Sequence, residues 1–468
     1  MSNMESSVTT PRWVGPVVFL LSAGIVFLLV LLGMSIVERR WEAQRPALAL
    51  IPLAEGETDN AQWGRNYPRQ YDSWKQTEID NTRTLYGGAY PRDYLDENPR
   101  LVLLFAGYGF SKEYLQARGH FHSITDVAAT KRVNDSTVAT CWTCKSPDVP
   151  RMIAHFGSPD SFYRQNFRAI RDEMRNAIGC MDCHDPKDMR LRITRPGLTE
   201  ALATRDLRVE HATHQDMRSL ACAQCHVEYY FRDGYYLAFP WEKGMTVENM
   251  IAYYDERNFE DWKHPVSGTP MLKSQHPDYE LWSTGIHAFR GVGCADCHMP
   301  YRSEGGVKFT DHRVQSPLAN IANSCGVCHR WSEDEVRSRV ESIQTKVFEG
   351  RNRAEEVIIK AHFDVRAALD AGVAEADLAE ARKLIRHAQF RWDFVASANG
   401  MGFHSPQESM RILGDAAREA QEARIIATRL MAAKGVLKAP RYPGIPTRER
   451  AVAVAAAYVE NRPLTLID

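Results

Sequence analysis

The sequence predicts a mainly α protein, with a body rich in loops and short helices followed by long C-terminal helices. Two observations carry this. Five Cys-x-x-Cys pairs fall between residues 141 and 328, in a stretch with many Gly and Pro and only short periodic segments. After residue 329 the pattern changes to long runs with apolar residues at helical spacing. The chain has 468 residues, 44% of them hydrophobic and 25% charged, enough to bury a real core. Those values exclude a disordered tail, a collagen-like chain and a multispanning membrane protein. A net charge of −1 supplies no basic excess, so no nucleic-acid partner is expected.

The first element in chain order is an uncharged run from Trp13 to Val37, bounded by Arg12 and by Glu38-Arg39-Arg40. At about 1.5 Å per residue it can cross a hydrocarbon core of about 30 Å. It exceeds the roughly 7 to 15 apolar residues of a signal peptide, and no small-residue cleavage site follows Val37. Residues 1–45 therefore read as a membrane anchor and its flank. Arg39, Arg40 and Arg45 would by the positive-inside rule keep the body cytoplasmic, an argument that the cofactor chemistry below outranks. Residues 43–58, with Pro46, Pro52 and Gly56, read as a linker.

The body, residues 46–330, holds all ten cysteines as the pairs Cys141/Cys144, Cys180/Cys183, Cys222/Cys225, Cys294/Cys297 and Cys325/Cys328. In four pairs the next residue is a histidine: His184, His226, His298 and His329. In the first it is Lys145. Zinc ribbons use knuckles in twos, and five leaves one unmatched. Thioredoxin-like pairs need a βαβ setting that is missing here, and a disulfide framework has no use for the repeated histidine. Covalent haem c attachment accounts for it: two thioethers hold the porphyrin, and the adjoining histidine binds the iron. The fold class is thus a multihaem cytochrome c body, in which porphyrins supply much of the apolar core. The first motif reads either as a decayed haem site or stray thiol pair, or as a site with Lys145 as the candidate iron ligand, which requires a deprotonated amine. If no protein group takes the opposite position, that iron is open to substrate.

Residues 331–434 form the long-helix region. Ser332 and Glu335 make a capping box ahead of Val336, Val340, Ile343 and Val347. A second helical run covers about 375 to 398. A third starts at Ser405-Pro406-Gln407-Glu408, where a cap, a first-turn proline and a capping-box glutamate coincide, and runs to about Ala433 before Gly435. Residues 435–468 are read as a tail. Apolar stripes of this length call for cover by the body and by a second subunit, so a homodimer is expected.

Between about Tyr90 and Glu408 the residues resemble the ammonium-forming pentahaem cytochrome c nitrite reductases. The motifs are Arg118-Gly-His120, Cys141-Trp-Thr-Cys-Lys-Ser-Pro-Asp148, Cys225-His-Val-Glu-Tyr-Tyr-Phe231, Lys273-Ser-Gln-His-Pro277, Cys297-His-Met-Pro300, Thr310-Asp-His312 and Met401-Gly-Phe-His-Ser-Pro-Gln-Glu408. The resemblance implies five haem c groups, one ligated by Lys145 and four by paired histidines. His312 would face the haem of Cys180/Cys183, His120 that of Cys222/Cys225, His404 that of Cys294/Cys297 and His287 that of Cys325/Cys328. His122, His155, His211, His214, His264, His362 and His387 are read as core or surface histidines, with His211 and His214 as a pair on one helix face. The family's catalytic triad falls on Arg132, Tyr229 and His276, beside Lys145. A Ca²⁺ site is implied on the side chains of Glu228 and Gln275 with the carbonyls of Tyr229 and Lys273; the plain alternative there is a Glu228–Lys273 salt bridge.

The function so implied is six-electron reduction of nitrite to ammonium, with nitrite bound opposite Lys145. Electrons would come from a quinol-oxidising membrane multihaem cytochrome or a soluble carrier. Haem c attachment is completed outside the cytoplasmic membrane, which puts the body in the periplasm, tethered by residues 13–37. A rival reading is a pure electron-transfer cytochrome, which would need every haem six-coordinate. A second rival, of the hydroxylamine-oxidising type, carries more haem motifs than the five here.

Overall fold

The computed structural model describes residues 11–44 and 50–467, in two compact units, Met1–Pro52 and Leu53–Asp468. The first unit contains the helix Val14–Gln44. Its segment Val14–Glu38 has a mean hydropathy of 2.9, long and apolar enough to cross a membrane, a property that an anchor shares with a signal sequence. The helix runs through Glu38-Arg39-Arg40 to Gln44, so the expected linker starts later than residue 43, and 45–49 lie outside the described residues.

The second unit is mainly α, as expected. Short helices and turns fill residues 60–330. Three two-stranded antiparallel ribbons punctuate them: Tyr230–Arg232 with Tyr236–Ala238, Trp262–Lys263 with Pro270–Met271, and Tyr301–Glu304 with Val307–Thr310. The third turns on Gly305-Gly306, both at positive φ (58° and 79°), the backbone that a two-residue hairpin loop needs. This ribbon carries the chain out after His298 and back to His312.

Three long helices follow: Glu333–Asp370, Ala379–Ala396 and Pro406–Ala433. The Ser332/Glu335 capping box is present, Ser332 Oγ accepting from the Glu335 amide at 3.3 Å and the Glu335 carboxylate accepting from the Ser332 amide at 2.9 Å. The box expected at Ser405 is not. The Ser405 side chain makes no cap, and the Glu408 carboxylate instead receives Arg411 at 2.6 Å. Pro406 in the first turn starts that helix.

The long helices pack on one another. Val340, Val347, Ala354, Ile358, Ala361, Val365 and Ala368 form the buried stripe of the first, and Ala416, Ala420, Ala423 and Ala427 let the third approach closely. Helix Ala379–Ala396 is buried along most of its length, including Ile385, Phe390, Trp392 and Val395. These stripes are therefore met largely within the chain, which removes the need for a second subunit as their cover. The segment read as a tail holds the helix Arg448–Val459, which packs on Arg100–Leu104 and is pinned by Arg448 to Asp93 at 2.8 Å and Asp96 at 2.9 Å.

Candidate functional site

Each Cys-x-x-Cys-His segment is wound into one helical turn, so residues i, i+3 and i+4 share a face. The amide of the histidine donates to the carbonyl of the first cysteine: His184 to Cys180 at 2.9 Å, His226 to Cys222 at 2.9 Å and His329 to Cys325 at 2.8 Å. Cys294–His298 is itself a helical turn. In two motifs an aspartate before the second cysteine caps the turn, Gly179 N donating to Asp182 at 2.8 Å and Gly293 N to Asp296 at 2.7 Å. The first motif is wound more tightly, as a 3₁₀ turn, with the Lys145 amide donating to Trp142 O at 2.9 Å. Trp142 anchors it, stacked on Phe167 at 4.3 Å and donating its indole N–H to the Phe167 carbonyl.

All ten cysteines are free of disulfides. Nine of them are half-buried, as attachment inside a cofactor-filled body requires, and Cys328 is the exception. The polypeptide covers the fifth motif least, with Val327, Cys328, His329 and Arg330 exposed. The reason is its position. The fifth motif is the last turn before helix Glu333–Asp370, where the chain leaves the body. The small apolar cluster beneath it, Leu318, Ile321, Val336 and Val340, packs against Cys325 and leaves the Cys328 side uncovered. The fifth motif therefore lies at the edge of the polypeptide body.

A haem between two histidines sets a distance. With metal–nitrogen bonds of about 2 Å and the ring centre about 1.1 Å behind each nitrogen, the two centroids stand about 6.3 Å apart. The structure places His184 and His312 at 6.1 Å, His298 and His404 at 6.3 Å, and His287 and His329 at 6.4 Å. These are three of the four pairs expected. His226 has His276 at 6.5 Å and lies close enough to His120 to disfavour its protonation.

Hydrogen bonding separates these rings from the other histidines. Nδ1–H of His184 donates to Met189 O at 2.8 Å, that of His312 to Thr310 O at 2.7 Å and that of His298 to Gln315 O at 2.9 Å. Nδ1–H of His226 donates to Asp278 at 3.4 Å. Such bonds leave Nε2 unprotonated and free for a metal. In His122, His264, His362 and His387, Nε2 is engaged by Glu78, Leu103, Gln389 and Asp255 respectively. Burial pushes His120, His298 and His312 down to about 4, so each is held in the neutral, metal-binding form. His211 and His214 are exposed and do not share a helix face, because the Thr213 cap separates a 3₁₀ turn from the helix His214–Ala223.

Around the first motif, Lys145 is half-buried, and none of the described carboxylates pairs with its ammonium. Its backbone is held by Ser123 Oγ donating to Lys145 O at 2.7 Å. Arg132 is exposed, its guanidinium 4.4 Å above the Phe110 ring and its Nε donating to Thr130 Oγ1 at 3.1 Å. The Arg132 charge reaches Tyr229 and Cys141, and Tyr229 lies beside Cys141 and Cys144. Burial pushes the Tyr229 phenol up. His276 stands within reach of the Lys145 charge; burial foremost, then that charge, push it down to about 3. Arg132, Tyr229 and His276 are thus brought to the Cys141–Lys145 motif.

Beside this pocket Glu228 is fully buried and accepts only neutral donors: Tyr254 Oη at 3.1 Å, Ser274 Oγ at 3.0 Å and the Gln275 amide at 2.6 Å. Burial, with Glu280 nearby, pushes it up. The Glu228–Lys273 salt bridge is not formed, since Lys273 Nζ pairs with Asp393 at 2.9 Å. The Gln275 amide end lies 3.5 Å from Lys273 O. A buried carboxylate with only neutral donors, in a segment that also holds the Gln275 amide and the Lys273 carbonyl, is chemically suited to a hard cation. Among the described residues no three His, Cys, Asp or Glu side chains gather as a metal site, and this oxygen-rich set does not need them.

Sequence reading missed Arg195, a fully buried guanidinium between two motifs. It pairs with Asp182 of the second and donates to Thr143 O at 2.6 Å and Ser146 O at 2.9 Å, on either side of Lys145. Removing one partner of such a pair costs about 3–5 kcal/mol. The Gly-x-x-Asp spacing was a visible signal for the caps; nothing local signalled Arg195.

The cytochrome c552 family model matches residues 59–464. The chain is 47% identical to a cytochrome c-552 of Bacteroides fragilis, over 94% of this chain and 91% of the relative. It is 45% identical to a cytochrome c-552 of Porphyromonas gingivalis, over 96% and 92%. Among solved structures it is similar to the cytochrome c nitrite reductase of Desulfovibrio desulfuricans, described with two calcium sites in the catalytic subunit. That match has a TM-score of 0.77 and 33% identity, over 81% of this chain and 88% of the other.

Proposed function

The chain belongs to the cytochrome c552 family, and from that premise we propose that it reduces nitrite to ammonium at the Cys141–Lys145 motif. The supporting observation is an asymmetry. Three histidine motifs have a second imidazole at iron-spanning distance, and His226 has candidates in His120 and His276. The lysine motif is surrounded instead by Arg132, Tyr229 and His276. The reaction consumes one nitrite, six electrons and eight protons and releases ammonium and two waters.

Five haem c groups would be held by the ten cysteines, with Lys145, His184, His226, His298 and His329 on one side and His120, His287, His312 and His404 opposite the histidines. The exposed Cys328 puts the edge of the fifth group at the surface, where an electron donor can reach it. Haem would supply the redox chemistry for nitrite held at the lysine motif. The residues do the rest. Lys145 would be the protein ligand there, and none of the described carboxylates pairs with its side chain. Arg132 draws in the anion and offers directed N–H donors. His276 passes protons to the reduced nitrogen and oxygen atoms, and the Tyr229 phenol donates a hydrogen bond or relays a hydrogen. Ca²⁺ on Glu228, Gln275 and the carbonyls of Tyr229 and Lys273 would satisfy the Glu228 charge, fix Tyr229 and add positive field. Electrons would arrive from a quinol-oxidising membrane multihaem cytochrome or a soluble carrier, with the body in the periplasm, tethered by residues 13–37 and paired as a homodimer.

The test is the Lys145→Ala holoprotein with reduced viologen. The wild type is expected to give one ammonium per nitrite, and the variant to lose turnover at least a hundredfold while keeping its five haems. Full turnover in the variant would refute the lysine assignment.

A further inference from the structure

Asp278 is a buried carboxylate that neither the haem motifs nor the catalytic triad uses. Its Oδ2 lies 3.4 Å from Nδ1 of His226 and its Oδ1 lies 3.6 Å from Nδ1 of His404. Those rings belong to two different haems, that of Cys222/Cys225 and that of Cys294/Cys297, if the ligand assignment proposed above holds. The carboxylate is fixed where it stands: the Asn399 amide donates to Oδ1 and Asn399 Nδ2 donates to Oδ2, each at 2.9 Å. Its own amide donates to His276 O at 2.7 Å, which ties it to the backbone of the pocket histidine. The His404 ring sits against Gly400, where an added Cβ would meet it at 3.1 Å, so the glycine leaves it room.

The contrast with the other imidazoles makes the arrangement informative. His184, His312 and His298 turn Nδ1 toward neutral backbone carbonyls. His226 gives its Nδ1–H to a carboxylate, and the Nδ1 of His404, which has no hydrogen-bond partner, faces the same carboxylate at 3.6 Å. A carboxylate behind a metal-bound imidazole makes it a stronger donor and favours the more oxidised metal, and a carbonyl dipole does so less. Cys222 and Cys294 lie near enough to act on one another's thiols, so the two sites adjoin.

We propose that Asp278 is a positioning residue shared by two haems, strengthening His226 and His404 as ligands together and lowering the reduction potentials of both, so that electrons pass between adjoining sites of matched potential. The experiment is a spectroelectrochemical titration of the holoprotein. In Asp278→Asn, two of the five haems should titrate at higher potential while the other three stay, and Asp278→Glu should restore the lower values. Unmoved potentials, a shift in one haem only, or an equal shift in all five would overturn the proposal. The ligand assignment is tested separately: His404→Ala should turn one low-spin haem high-spin, and an unchanged spin count there would refute that assignment. If Asp278→Asn does not mature with five haems, Asn399→Ala replaces it. That change takes one donor from Oδ2, leaves more of its charge for His226, and should lower the potential of one haem; an unchanged or raised potential would overturn the proposal.

Discussion

In each imidazole the nitrogen facing the protein decides what the other nitrogen can do. His362 has both nitrogens satisfied, by Ser267 and Gln389, and is a core residue. His184 and His312 spend only Nδ1 and stand 6.1 Å apart. The proximal residues and Lys145 were legible in the sequence because their chemistry lies within five consecutive positions. The exposure of Cys328 was not, because the same five positions say nothing of what packs over them. The distal histidines came only through resemblance, because folding brings them in from far along the chain. Asp278 and Arg195 were not legible at all, since a carboxylate or guanidinium has no local spacing that marks its partner. His276 belongs to this scale too: its buried Nδ1 has no partner, and burial foremost holds the ring neutral. In the proposed role it would pass protons on and not store them. His276→Ala is expected to slow nitrite turnover roughly a hundredfold with haem content intact, as measured by steady-state rate and haem absorbance; unchanged kinetics would reject the role.

Elements show where local signals hold and where tertiary context overrides them. The box at Ser332 forms because Glu335 has no stronger partner, whereas at Ser405 the buried serine and the Arg411–Glu408 pair displace the expected box. The long helices were legible from apolar spacing; their partners were not, because a stripe says that it must be covered and not by what. Helix Glu333–Asp370 carries His362, stacked at 3.8 Å on His264. Burial pushes His362 down from the usual 6.5 to about 4, and His264 further below, where His362 adds to the effect. A base whose pKa is lowered on folding gives its full stability above the unfolded value and loses it as pH falls, because the unfolded chain takes up protons first. Melting temperature should therefore drop between pH 6.5 and 4, His362 accounting for about 3 kcal/mol of that at most. His362→Gln should flatten the slope over this window, and a slope equal to the wild type would show that the acid loss arises elsewhere.

At the scale of the whole molecule, the fold is a frame for cofactors. Short turns present cysteines and histidines, ribbons return distal ligands to the body, and the long helices, closing largely on one another, brace the side where His404 enters. Buried pairs such as Arg195–Asp182 join one motif to the next. On the proposed reading this gives four cofactor sites between paired imidazoles and one, at Lys145, beside Arg132, Tyr229 and His276. That asymmetry is the central claim, and magnetic circular dichroism of the oxidised holoprotein tests it directly. The expected result is one high-spin haem in five, altered by nitrite and changed in Lys145→Ala; five low-spin haems, indifferent to nitrite, would contradict it.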